Sequence, residues 1–206
     1  MTSGQTDRRA SDKLKPGDLY TLEVYARIRP QFRDSVIAHK KNRQVSIGPN
    51  ATLSFEDRMT MQYQVQEMLR VERIFEVEGI EDELRAYNPL IPDGSNWKAT
   101  LMLEYPDVEE RRDALAQLKG IEGLVWVRVA GCEPVYAIAD EDLERTNESK
   151  TSSVHFLRFE LTPQMINAVK RGADVAAGVD HPRYRHALDP IPPAVRGSLA
   201  DDLVGS

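Results

Sequence analysis

An α+β fold is what this sequence predicts: a mostly antiparallel sheet with one long helix and several short helices packed on it. Three observations lead there. Residues 97–105 and 154–161 alternate apolar and polar side chains, the period-two pattern of half-buried strands. Residues 56–78 carry Met61, Val65, Met68, Leu69 and Phe75 at helical spacing, the longest such stretch in the chain. The order of elements is irregular, with hairpins, single helical connections and no recurring period, which disfavours a parallel βα design or a repeat array.

Residues 1–15 lack apolar periodicity and read as a tail. Lys15-Pro16-Gly17-Asp18 is a turn, and Asp18 is placed to cap a short helix to Tyr25. Pro30 suits the first turn of a second helix, with Phe32, Val36 and Ile37 as its apolar stripe to about Lys41. Two alternating stretches, 43–47 and 52–55, flank Gly48-Pro49-Asn50 and predict a hairpin. The long helix then runs from Glu56 to Glu78, where Gly79 is a natural stop. A helical turn at 84–87 and a rigid loop from Asn88 to Gly94 precede the strand that opens at Trp97.

Pro106-Asp107 opens a helix to Leu118, with Val108, Ala114 and Leu115 inward. Strands are expected at 124–129 and 135–138 around the turn Gly131-Cys132-Glu133-Pro134, then a short acidic helix from Asp140 to Thr146. After the strand at 154–161, Thr162 and Pro163 start a helix that Gly172 ends. A last strand is expected at 174–179, then a loop, and finally a Pro-initiated helix with Val195, Leu199 and Leu203 on one side. The chain divides into a tail (1–15), one α+β domain (16–189) and a C-terminal helix with its tail (190–206).

With 206 residues the chain is long enough for a sizeable core without cross-links. Its single cysteine, Cys132, excludes an internal disulfide and any cysteine-ligated cluster held by one chain alone, and favours the cytoplasm. No apolar run is long enough to span a membrane. The net charge is −6, yet residues 1–43 carry +5 and the remainder −11. That acidic body disfavours nucleic-acid binding. Glycine-rich nucleotide loops, paired-histidine zinc motifs and nucleophile elbows are all absent, and no cofactor is predicted.

Three constellations remain. Arg58, Gln62, Gln66, Arg70 and Arg73 recur every three or four residues along the long helix. Guanidiniums interleaved with amides suit a carboxylate or phosphate, although a solvated helix face shows the same spacing. Glu67 beside them and His155, at the end of an apolar strand face, are the candidate acid–base groups; a hydrogen-bonded core histidine fits His155 equally. His39 and Lys40 form a second basic spot at a helix end, where cations are also simply stabilised. Asp180, His181 and His186 offer oxygen and nitrogen ligands for a metal from a loop.

Longer runs carry a resemblance. Tyr25 to Pro30, Val36 to Arg43, Gln64 to Arg70, Tyr87 to Gly94 and Val154 to Phe159 resemble a bacterial family known only as a domain of unknown function (domain of unknown function 3501). Its members are often encoded beside rubrerythrin-like and iron–sulfur, heterodisulfide-reductase-like proteins. The resemblance implies an accessory or interaction protein of a cytoplasmic redox or oxidative-stress system, with a redox or iron–sulfur partner. The residues themselves keep two other expectations open: an enzyme or binder of an anionic substrate on the Arg/Gln stripe, and a mononuclear metal-binding protein.

Overall fold

The computed structural model describes residues 12–142, 145–146 and 149–205. Most of the expected N-terminal tail and part of the expected helix at 140–146 therefore lie outside the described residues. What is described of that helix is not helical.

The fold is α+β with two antiparallel sheets. Thr21 caps helix α1 (Leu22–Lys40), accepting from the Val24 amide. Two helices were expected here, yet α1 is continuous through Pro30. A proline inside a helix costs about 3 kcal/mol. Packing against the next helix holds both halves in line: Tyr25 and Val36 are buried, and Arg29 pairs with Glu67. Strands β1 (Gln44–Ile47) and β2 (Ala51–Glu56) form the expected hairpin, with Val45 and Ile47 alternating into the core.

Asp57 and Thr60 make a reciprocal capping box at the start of α2 (Arg58–Glu72). The expected single long helix is not found. At 15 residues α2 is shorter than the 19-residue α1, and it stops at Arg73, which adopts the left-handed conformation (φ 55°). Glycine usually fills that position, so the stop carries no sequence signal. The chain re-enters a helix at α3 (Val77–Tyr87), straight through the expected Gly79 stop.

A 3₁₀ turn (Asn88–Leu90) leads to β3 (Asn96–Leu103), α4 (Val108–Gln117) and β4 (Val125–Val129). Val108 is exposed rather than inward, because α4 touches the core mainly through Leu115. The expected strand at 135–138 is divided: β5 (Val135–Tyr136) pairs with β4, whereas β6 (Ile138–Ala139) crosses to β7 (Val154–Glu160). After α5 (Pro163–Lys170) come β8 (Val175–His181), an unexpected β9 (Tyr184–Leu188) and α6 (Pro193–Asp201).

The sheets run β1-β2-β3-β7-β6 and β5-β4-β8-β9. Their inner faces share one core, in which Leu53, Phe55, Trp97, Leu101 and Phe159 meet Val125, Val127, Val175 and Val179. The apolar side of α6 (Val195, Leu199) and Leu203 are buried in this same core. A second cluster joins Leu14, Met61, Val65, Leu69, Leu84 and Ile91 beneath the N-terminal helices. The outer face of the first sheet carries a register row Glu56–Lys98–Arg158–Ile138 across four strands.

Candidate functional site

Where the α3–3₁₀ segment lies over that outer face, a crevice of about 400 Å³ opens. Tyr87, Pro89, Leu90 and Phe156 give it apolar walls, while Lys98, Arg158, Glu141 and Arg85 supply charge. This size and this mixture are those of a small-molecule site. Strand alternation puts Lys98 and Arg158 side by side, directly cross-strand on the outer face.

The charges are unequally satisfied. Arg158 makes a two-pronged contact with Glu141 (2.9 and 2.8 Å) and a third bond to Glu160 (2.6 Å). Hydrogen bonding to Arg158 holds the Glu141 carboxyl below its ordinary range. Asp93, on the adjoining loop, accepts from Ser95 and Asn96. Lys98 makes no hydrogen bond or ion pair among the described residues. It is half-buried, and burial, reinforced by Arg158, lowers its pKa. The crevice is thus a mainly apolar cleft lined by one half-buried amine that makes no hydrogen bond within the described residues.

The Arg/Gln stripe lies elsewhere and faces the chain itself. Arg58 pairs with Asp18 at 2.8 Å, and Gln62 donates to the Asp18 carbonyl. Gln66, fully buried, accepts from the Tyr20 amide and donates back to the Tyr20 carbonyl. Arg70 donates to Glu67, and Arg73 is the exposed cap of α2. The helix therefore recognises its own N-terminal segment with the groups suited to an anion. Glu67 bridges α1 and α2, accepting from Arg29 (2.7 and 2.8 Å) and Tyr25 (2.7 Å). The bonds from Arg29, then Tyr25 and Arg70, overcome partial burial and lower its pKa to about 2.

His39 Nε2 lies 2.5 Å from Asp57 Oδ2, at the rim of a buried charge cluster, and Lys40 follows at the helix end. Burial works against the Asp57 carboxylate, but His39 and Arg43 hold it below its ordinary range. Arg43, 1% exposed, donates to the carbonyls of Phe55 and Glu56, to Ser198, and to Asp202 at 2.5 Å. It locks α6 onto the first hairpin.

His155 is fully buried, with Nδ1 2.6 Å from Asp140 and Nε2 2.9 Å from Thr151 Oγ1. Thr151 is itself 1% exposed, whereas Asp140, at the other end of this chain of contacts, is partly exposed. His155 and Glu67 do not line the crevice. Asp180, His181 and His186 fall on the β8–β9 hairpin, not in a loop. Alternation sends Asp180 to the opposite face from His181 and His186, where it accepts from Tyr136. Among the described residues no three metal-ligating side chains converge.

Sequence reasoning missed the crevice. Arg158 and Glu160, two apart on one strand face, are joined as alternation allows. Placing Lys98 beside it needs the β3–β7 register, and placing Tyr87 and Leu90 above it needs the docking of α3.

No curated protein matches the chain. A crystal structure of a protein of unknown function from Burkholderia pseudomallei is 54% identical, covering 94% of this chain and 100% of its own, with a TM-score of 0.90. The model of the protein family of unknown function DUF3501 matches residues 13–203, and the chain belongs to that family.

Proposed function

We propose that this protein binds a small, partly apolar organic molecule carrying a carboxylate or carbonyl oxygen, seated in the crevice with that oxygen at Lys98. The observation that carries the reading is the half-buried, unpaired Lys98 in the floor of a preformed 400 Å³ cleft. A ligand oxygen at the ammonium gains a charge-assisted hydrogen bond, while Tyr87, Leu90 and Phe156 offer surface to an apolar body. The test is NMR titration with benzoate. Resonances of Lys98, Tyr87 and Phe156 should shift together, and Lys98→Met should weaken binding about tenfold, equivalent to about 1.4 kcal/mol. Absence of shifts in the crevice overturns the reading.

A second reading, an accessory protein of a cytoplasmic redox or iron–sulfur system, draws on a different observation. Val71, Phe75 and Val77 are 57–65% exposed at the α2–α3 junction, among Glu72, Glu76 and Glu78. Contiguous exposed apolar groups of this kind mark interaction surfaces. Affinity purification from the native host should recover an iron–sulfur protein with the parent chain and lose it with Phe75→Ser. Recovery of no redox protein refutes it.

A further inference from the structure

We propose that Lys98 is a covalent site: its amine forms a reversible imine with an aldehyde or ketone whose apolar body fills the crevice. The inference rests on the binding reading above and adds bond formation to it.

The neighbouring carboxylates Glu141 and Asp93 attract the charge of this lysine but make no hydrogen bond or ion pair with it. Glu141 and Glu160 are both engaged by Arg158. Asp93 is held by Ser95 and Asn96. Glu56, directly cross-strand from Lys98 on its other side, accepts from Thr100 Oγ1 and makes no ion pair with Lys98. Lys98 lies cross-strand from Arg158, half-buried in the crevice that Tyr87, Leu90 and Phe156 also line. Desolvation in the crevice, with Arg158 beside it, shifts this amine toward its neutral, nucleophilic form against the opposite pull of Glu141 and Asp93. Each unit by which its pKa falls raises the neutral fraction about tenfold. Lys13 is the instructive contrast: burial lowers its pKa as well, but its Nζ donates to the Ile91 carbonyl at 2.5 Å.

The step balances without a co-reactant. The neutral Nζ attacks the carbonyl carbon, a C–N bond forms, and the C=O π electrons move to oxygen. A proton passes from nitrogen to that oxygen, giving the carbinolamine. Loss of one water leaves the C=N bond. The products are one imine and one water, and hydrolysis reverses the step. Nothing is oxidised or reduced.

The test uses the full chain, benzaldehyde as probe and cyanoborohydride to trap any imine as a stable benzylamine, read by intact mass and peptide mapping. Labelling should fall on Lys98 first and several-fold faster than on Lys13 or the exposed lysines, as read from the initial rate at each labelled peptide. Benzoate should slow it, and Lys98→Arg should abolish the fast phase while the slow labelling of other lysines and the circular dichroism stay unchanged. Even labelling of all lysines overturns the proposal. If benzoate still shifts the crevice resonances in that case, the imine alone is lost and binding stands; if it does not, both fall. Fast labelling that benzoate leaves untouched supports the imine and removes the carboxylate from the ligand's description.

Discussion

Replacing Arg43 by methionine removes the guanidinium on which Asp57 and Asp202 converge, 3.4 and 2.5 Å away. Methionine occupies similar space but donates nothing, so the carbonyls of Phe55 and Glu56 and the Asp202 carboxylate lose their donor inside the protein. Burial already pushes the Asp202 carboxyl up to about 6 against the pull of Arg43. Burial also opposes the charge on Arg43, which Asp202 and Asp57 nevertheless hold in place. Removing one partner of such a buried pair costs about 3–5 kcal/mol, because the other charge is left uncompensated. For a domain of this size that lowers Tm by roughly 10 °C. Urea unfolding followed by the fluorescence of buried Trp97 measures it. The double variant Arg43→Met with Asp202→Asn should recover at least about 1 kcal/mol, since the orphaned carboxylate is gone. A loss under about 1 kcal/mol in the single variant, or no recovery in the double, refutes the assignment of Arg43 as the ionic lock between α6 and the first hairpin.

Glu67 predicts acid sensitivity of the helical layer. Its folded pKa, about 2, lies below its ordinary 4.5, so its contribution is fully present above pH 4.5 and is lost as pH falls toward 2. Allowing for its contact with solvent, the contribution is about 1–2 kcal/mol. Acid titration of stability should be shallower in Glu67→Gln, and equal slopes would remove Glu67 as the source. Tyr184 Oη donates to the Ile47 carbonyl (2.7 Å) and accepts from the Asn50 amide (2.9 Å). Tyr184→Phe should therefore cost about 1–2 kcal/mol by urea titration; a neutral substitution would show that β9 does not anchor the first hairpin through this hydroxyl.

Elements that advertise themselves locally were legible. The hairpin at β1–β2 follows from two alternating runs around Gly48-Pro49-Asn50, and α5 from Thr162 and Pro163. These signals need only neighbouring residues and the period of a strand or helix. Where tertiary packing overrides local preference, reading along the chain failed: α1 continues through Pro30, with Tyr25 before the proline and Val36 beyond it both buried. Arg73 ends α2 in a conformation usually left to glycine, and β9 hides in a histidine- and arginine-rich stretch because it is an edge strand with exposed Arg185 and His186.

By itself the sequence determined the α+β class, the strand faces and the side-chain inventory, since alternation, capping and composition are properties of short windows. Only the tertiary structure decided what those side chains meet. The stripe of Arg58, Gln62 and Gln66 looked suited to a foreign anion, and it is the chain's own Asp18–Tyr20 segment that receives its hydrogen bonds. Lys98 looked like one more polar position on a strand. It became the candidate site because the β3–β7 register sets it beside Arg158, which engages Glu141 and Glu160 in the amine's place, and because α3 closes an apolar wall above it. Pairing partners far apart in the chain are chosen by the burial of two whole sheet faces, and that choice is written in no single stretch of residues.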